Sequence, residues 1–485
     1  MVSTADGNAV ACFLNSAAEA ANVIQETVKQ DGFIHVFSHL DADGVAAAGI
    51  IGKALFRLDA RFRIRVTQWI EQDIVGEILS DKPQLVMFTD LGSGYVDLLT
   101  QKLADFKIVI MDHHQLVGQG PENFVQVNPH VHGIDGAREV SGAGVAYFVA
   151  RAIDKVNVDL ASVAVVGALG DLQDKYDQRM LGGLNLKILE DATNSGLLTV
   201  EKDLIFFGRE TRPIHKILAS TTSPFIPGIS GEEDKSLAFL NNLGIKAREA
   251  DKWRALRDLS DDEKKRLCSA LADHLLSKGL HYEASNLIGH VYILNNEEPW
   301  TPLRDAREFA VLLNATGRMD KSGLGIAVCM GDRGQGLEGA NKVLEDYRRN
   351  INKYLGWVME KPERTKEMEN IYVVSGEDFI PDKIIGAISS IIAGSLPNPD
   401  KPLIAYSNVE GEDTAKISAR TSEAVIRKGL NLGEIMQVAA GKFQGKGGGH
   451  NIAAGAQVST EDISGFLKTV NELVARQLKG EKIGS

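Results

Sequence analysis

Cysteine is scarce in this sequence: Cys12, Cys268 and Cys329 are the only three in 485 residues, far apart and never in a Cys-x-x-Cys pair. That excludes a disulfide framework and a thiolate zinc site, and it fits a reducing, cytoplasmic setting. Long apolar runs are missing too. The most apolar stretches, SVAVVGALG and KIIGAISSIIAG, fall short of the ~20 residues of a bilayer span, so neither a spanning segment nor a membrane partner is expected. The N-terminal MVSTADGNAVACFLNSAAEAANVIQETVKQDG lacks a basic opening and a long apolar core, which predicts an alanine-rich helix in place of an export signal. Basic residues are in deficit, 53 Lys+Arg against 65 Asp+Glu for a formal charge of −12, which excludes a broad basic surface for duplex DNA. No internal repeat is present, and no low-complexity segment beyond a glycine cluster near the C-terminus.

What is present is an ordinary globular composition, 44% hydrophobic and 24% charged, in a length that accommodates two or three domains of roughly 100–200 residues. GFIHVFSHLD, PQLVMFTDLG and FKIVIMDHHQ are apolar nearly throughout, as parallel strands buried on both faces are, while ARFRIRVTQW alternates. Helical segments such as VAAAGIIGKALFRL and GYVDLLTQKLADF separate them. The order predicts a doubly wound α/β domain over 1–195. Charged helical text follows over 196–300, with Ser260 and Glu263 at capping-box spacing, and reads as a linker and helical insert. From 301 to 485 α/β character returns in a second, smaller domain, with GLGIAVCMG and PLIAYSNV read as strands and KIIGAISSIIAG as a helix.

The informative feature is where each apolar strand stops. The first ends in His39, Asp41 and Asp43, another in Asp90, and the next in Asp112, His113 and His114; Asp171 follows the apolar ASVAVVGALG, read as a helix. Carboxyl ends of parallel strands line the crevice where ligands bind, so these residues should converge. Asp41 and Asp43 would share a face on a regular strand, and a turn at Gly44 would fan them apart. Clustered carboxylates raise one another's pKa unless cations compensate. Oxygen-rich ligation with some imidazole suits manganese or magnesium, and paired ions ~3.5–4 Å apart serve displacement at phosphorus. The residues therefore point to a metal-dependent phosphoester hydrolase. His130 and His132 in VNPHVHG remain open between site and loop.

The set HLDADG, TDLG, DHH and GALGD resembles the four motifs of the DHH phosphoesterase superfamily. EVSGAGVAYFVA, with Ser141, Gly142 and Gly144, is similar to its RecJ branch, and KISARTS with GKGGGHNIAAG resembles the nucleic-acid-binding DHH-associated domain. SPFIPGISGEE and REFAVLLNATGRM resemble archaeal RecJ-like nucleases, including those called GINS-associated nuclease. The resemblance implies that Asp90 bridges two Mn²⁺ or Mg²⁺ ions, that Asp41 binds one, and that Asp43, His113 and Asp171 bind the other. It implies His39 as a further ligand, two residues before the first Asp where pyrophosphatase-like relatives place a His four before it. His114 would contact phosphate and Asp112 would orient the histidines. Arg420, Gly448, Gly449 and His450, with Lys442 and Lys446 nearby, would hold the strand. Arg348, Arg349 and Lys353 read as a solvated charge face, with a basic strand-binding face as the alternative, and Tyr347 and Tyr354 read as core. The implied activity is exonucleolytic hydrolysis of single-stranded DNA, 5′→3′, in replication or repair, with GINS as a partner. The alternatives are a 3′→5′ enzyme on RNA or short oligonucleotides, and a GINS-binding scaffold with little activity.

Overall fold

The non-alternating apolar runs form one parallel sheet. Strands β1 (Phe33–His39), β2 (Arg61–Thr67), β3 (Leu85–Thr89), β4 (Ile108–Met111) and β5 (Phe124–Val127) pair in the order β2-β1-β3-β4-β5, every pair parallel. Helices α1 (Gly7–Lys29), α2 (Ala42–Arg57), α3 (Gln72–Asp81), α4 (Val96–Leu103), α5 (Gly142–Ile153), α6 (Ala161–Gly170) and α7 (Leu184–Asn194) accompany it. Phe37, Phe88, Ile108 and Ile110 face the α3/α4 side with Ile74, Ile78 and Leu99, while α2 and α5 pack on the other. Each such fully buried side chain contributes roughly 1.5–3 kcal/mol, and burial on both faces is why these strands carry no polar alternation. The fold is a doubly wound α/β domain. Ser38 pairs with Thr89 and Thr89 with Met111, so the next residues, His39, Asp90 and Asp112, leave the sheet at one level. The strand order reverses between β1 and β3, the position where open sheets bind ligands.

The computed structural model describes residues 7–221, 224–394 and 396–483 and divides into two compact units, Met1–Leu344 and Glu345–Ser485. In the first, β6 (Leu198–Leu204) pairs antiparallel with a strand at Ile288–Leu294, and this ribbon closes off the insert. Between them lie α8 (Ile214–Ser220), α9 (Glu233–Asn242), a short hairpin of β7 (Arg248–Glu249) and β8 (Lys252–Trp253), α10 (Asp261–Ser277) and α11 (His281–Ser285); the ribbon partner is β9. The insert has its own core, including Ile217, Leu240, Leu256, Leu267 and Leu271. The capping box of Ser260 and Glu263 opens α10 as expected.

Helices α12 (Ala306–Arg318) and α13 (Ser322–Cys329) pack on α2, and α12 also on α6, so residues 301–344 lie with the first unit and not, as the sequence suggested, with the second. The expected strand GLGIAVCMG is α13. A short apolar run does not distinguish strand from buried helix by period, and here it lies so close to α2 that a Cβ on Gly49 would sit 2.3 Å from Cys329 Cβ. Helix α14 (Gln335–Glu360) crosses the boundary between the units. The second unit carries a mixed six-stranded sheet in the order β10-β11-β12-β13-β15-β14, with β10 (Thr365–Glu367), β11 (Tyr372–Ser375), β12 (Leu403–Asn408), β13 (Thr414–Arg420), β14 (Lys446–Gly449) and β15 (Ala453–Ser459). Helices α15 (Asp382–Ala393), α16 (Glu423–Ile426), α17 (Leu432–Lys442) and α18 (Ile463–Leu478) complete it. No described helix is long and apolar enough to cross a membrane.

Candidate metal centre

Asp41 is not on a strand with Asp43. It is the N-cap of α2, its side chain accepting from Gly44 N at 3.0 Å, and Asp43 lies in the first helical turn. The helical start, rather than a turn at Gly44, aims the two carboxylates apart. Asp43 reaches the N-terminus of α5, where it accepts from Gly142 N at 2.6 Å and Ala143 N at 3.0 Å, a favourable seat for an anion. Asp90 leaves β3 in the left-handed region with φ +55°, a conformation that Asp tolerates better than most residues.

These residues assemble two donor sets. His39, Asp41 and Asp90 form one, and Asp43, His113 and Asp171 the other, with ligand atoms in each set within 4.8 Å of one another. Asp90 belongs to the first and faces the second: its Oδ2 lies 3.7 Å from His39 Nδ1, and its Oδ1 lies 3.3 Å from His113 Nε2; with Asp112, His113 and His114 it also makes a further, overlapping group. His39 Nδ1 is 3.0 Å from Asp41 Oδ2. The Nδ1–H of His113 donates to Gly136 O at 2.8 Å, which leaves the Nε2 lone pair facing the carboxylates. Asp112 accepts from Ser93 N at 2.9 Å, His113 N at 2.8 Å and His114 Nδ1 at 2.8 Å. It therefore holds the His114 ring and the His113 backbone, and leaves His114, 46% exposed, at the rim.

Electrostatics matches the crowding. Burial raises the pKa of Asp43, and Asp90 and Asp171 raise it further; burial and Asp90 likewise raise Asp171, against the pull of His113. Burial disfavours a charged His113, but Asp171, Asp90 and Asp43 outweigh it and push its pKa well up. His39 shows the same balance, burial opposed by Asp41 and Asp90, and rises to about 10. Burial would raise Asp41, yet His39, Gly44 N–H and Arg318 hold it well below the usual carboxylate range. Carboxylates and imidazoles in this arrangement sequester protons unless a cation replaces them. Two buried ligand atoms, Asp90 Oδ1 and His39 Nδ1, lack a hydrogen-bond partner. Hard oxygens with imidazole nitrogen and unsatisfied atoms aimed inward fit Mn²⁺ or Mg²⁺.

Sequence reasoning missed three participants. Gln173, fully buried, donates to Asp171 Oδ2 at 2.9 Å and to Gly136 O at 2.8 Å, and Asn185 supports it from behind at 2.7 Å. No pattern announces a buried amide. Arg318 sits within REFAVLLNATGRM at the end of α12, where Gly317 packs so tightly that a Cβ would meet Leu40 O at 1.6 Å; spacing from Asn314, to which Arg318 Nε donates at 2.9 Å, was the available signal. His130 and His132 join neither set; His132 packs edge-on to Phe13 at 6.3 Å. Another acid–histidine group, His35, Glu77 and Asp81, is already engaged by Arg63 and Arg65. Burial and those cations lower His35 to about 4, and the carboxylates of this group are spent on arginines.

In the second unit, the glycine run is strand β14, pressed onto α17 where a Cβ on Gly447 would lie 2.3 Å from Met436 O. Arg420 pairs with Ala453 across β15, and Gly449 with Ala454 on its other side, so Arg420, Gly448, Gly449 and His450 gather at one sheet end. Gly448 has open space above it, and Gly449 has φ +132°. Arg420 is splayed over α15, donating to Ser390 Oγ at 2.8 Å and Gly386 O at 3.4 Å. Tyr347 and Tyr354 are buried, as core residues should be, and Arg349 pairs with Asp346.

Three family models match in succession: the DHH family N-terminal domain over residues 33–168, the DHH-CID domain over 206–288 and the DHHA1 domain over 370–476. An uncharacterized protein of Methanocaldococcus jannaschii is 33% identical over 92% of this chain and 94% of its own length. The single-stranded-DNA-specific exonuclease RecJ of Bacillus subtilis is 25% identical over 37% of this chain and 24% of its own length. Among solved structures, RecJ of Thermus thermophilus in complex with Mn²⁺ superposes with a TM-score of 0.59 at 17% identity, covering 95% of this chain and 55% of that one. CDC45 of Entamoeba histolytica gives 0.63 at 12% identity over 95% and 99%. The chain thus spans about a quarter of one RecJ and about half of the other.

Proposed function

The chain belongs to the DHH family with the domain order of its RecJ-like members, and from that premise we propose that it is a two-metal exonuclease hydrolysing the phosphodiester bonds of single-stranded DNA from the 5′ end. One observation carries this reading: the two oxygens of Asp90 face different donor sets. Such a split suits two manganese or magnesium ions sharing one carboxylate, with His39 and Asp41 on one side and Asp43, His113 and Asp171 on the other. When bound, the cations supply an acidified water and screen the charge of the scissile phosphate. The chain's residues do the rest. Helix α5 holds the Asp43 carboxylate in place. Gly136 O fixes the His113 ring, and Asp112 orients His114 toward solvent, where its Nε2 meets a phosphate oxygen. Arg318, close enough to Asp41 to depress its pKa, adds a cation on the same side.

Arg420, Gly448, Gly449 and His450 bind the strand's phosphates in the second unit. The choice of DNA rests on the RecJ likeness and the 5′ end on the family resemblance. The insert, with Trp253 and Tyr282 exposed, is the surface assigned to a replication partner such as GINS. The fold shared with CDC45 keeps a nearly silent scaffold in view, and the complete donor set opposes it. End-labelled DNA and RNA strands, each blocked at one end, should be degraded with Mn²⁺ or Mg²⁺ and not with EDTA, DNA preferentially from a free 5′ end. Absence of cleavage under every metal condition would overturn the nuclease reading, and 3′→5′ trimming of RNA would favour the enzymatic alternative.

A further inference from the structure

Asp171 caps α6, and the chain then reverses tightly. Leu172 N donates to Leu169 O at 3.2 Å and Gln173 N to Ala168 O at 2.9 Å, with Leu172 in the left-handed region at φ +55°. This is a Schellman closure. It turns Leu172 outward and Gln173 back inside, beneath the ligand that precedes it by two residues.

The surroundings fix which end of the Gln173 amide is which. Nε2 lies against two acceptors, Asp171 Oδ2 and Gly136 O, while Oε1 accepts from Asn185 Nδ2. A flipped amide would set an oxygen against a carboxylate and a carbonyl, and an NH₂ against an NH₂. Asn185 is held in turn, its backbone N donating to Glu139 O at 2.8 Å. Gly136 O receives the Nδ1–H of His113 as well. One buried side chain therefore touches one ligand of the second donor set and the carbonyl that orients another.

We infer that Gln173, backed by Asn185, is the positioning residue of the Asp43/His113/Asp171 set, tying down the Asp171 carboxylate and the carbonyl that keeps His113 Nε2 facing the cations. Asp171 Oδ2 lies 3.9 Å from His113 Nδ1. Without the Gln173 donor, that carboxylate is free to take the Nδ1–H for itself, turning away from the ion and releasing the ring from Gly136. The inference rests on the two-metal reading.

The test is calorimetric titration of the metal-free 485-residue chain with MnCl2. Gln173→Leu should weaken one class of Mn²⁺ site by about 10- to 100-fold, the range for removing a partner of a metal ligand, and leave the other class within about threefold. The Mn²⁺ concentration for half-maximal cleavage should rise in parallel while KM for the strand stays put. Asn185→Leu, which loosens the amide without deleting it, should shift the same affinity the same way by a smaller factor, and it decides the matter if Gln173→Leu does not fold. Wild-type affinity in both variants, or a lower melting temperature with unchanged Mn²⁺ binding, would reduce Gln173 to a core residue. A wild-type chain that takes up no Mn²⁺ would instead overturn the two-metal reading and this inference with it.

Discussion

Gly142 lies directly against Asp90: a Cβ at position 142 would stand 2.4 Å from Asp90 Oδ1 and 2.5 Å from Asp90 Cβ. The same glycine donates its N–H to Asp43, so one backbone site touches the carboxylate that faces both donor sets and a member of the second. Helical geometry permits alanine at this position, and alanine is the better helix former. Gly142→Ala should therefore fold and yet displace Asp90, lowering Mn²⁺ affinity by about tenfold or more. Calorimetry that found wild-type affinity in this variant would show that Asp90 has room to move.

Asp90 itself offers a cleaner deletion. Asn accepts the left-handed backbone nearly as well as Asp, so Asp90→Asn keeps the turn and removes the charge. Cleavage should fall by about 10³-fold or more if, as proposed, Asp90 serves two ions. Single-strand affinity, measured by fluorescence anisotropy, should stay within about threefold. Turnover close to wild type would remove the bridging role.

How much of this centre was legible follows from how each residue is held. Asp90 and Asp112 end strands that are buried on both faces, so the sequence shows an apolar run broken by an acid, and the register of Ser38, Thr89 and Met111 brings those breaks together. Asp171 was legible for a similar reason, at the end of an apolar helix. Neither arrangement left open for Asp41 and Asp43, a shared strand face or a turn at Gly44, foresaw the helix start, because an Asp before an alanine-rich segment is also an N-cap, and Gly44 N completes that cap. GLGIAVCMG was misread because a short run that is apolar throughout carries no polar residue to mark a period of two or of 3.6. Gln173 and Arg318 act through contacts with residues far off in the chain, or through a reversal that only the folded backbone reveals.

Leu172 occupies the position of the Schellman closure that glycine usually fills, and its side chain is 68% exposed, so it gains little from packing. A left-handed non-glycine residue costs about 1–2 kcal/mol, partly offset by the greater chain entropy that glycine loses on folding. Leu172→Gly should raise the unfolding free energy of the metal-free chain by about 0.5–1 kcal/mol, read from denaturant melts. A destabilised variant would mean that Leu172 makes a contact worth more than its strain.

The insert carries its own acid-sensitive joint. Arg254 bonds both carboxylate oxygens of Glu263, at 2.8 and 2.6 Å. Together with the Ser260 cap, and against the effect of burial, this lowers the Glu263 pKa to about 2. A carboxylate depressed in the folded state contributes stability that is fully present above its unfolded value near 4.3 and lost as pH falls through about 2. Solvent screening of this partly exposed pair holds the contribution to about 1 kcal/mol at neutral pH. The stability gap between wild type and Glu263→Gln should be widest above about pH 4.5 and close toward the folded pKa. A gap constant with pH would place the effect in the hydrogen bonds of the cap alone.

The second unit can be tested apart from the metals. Arg420 ends β13 with its guanidinium spread between Ser390 and the carbonyls of Ala419 and Gly386, at the same sheet end as Gly448 and Gly449. A charge-assisted contact to phosphate is worth about 1.5–3 kcal/mol, so Arg420→Ala should weaken single-strand binding by roughly tenfold or more. The dependence of log K on log salt should become shallower by about one unit, as when one phosphate contact is lost. Arg420→Lys keeps the charge without the fork and should fall between the two. Mn²⁺ affinity should not change in either variant, because Arg420 belongs to neither donor set. Unaltered strand affinity and salt slope in Arg420→Ala would remove this sheet end from the binding path.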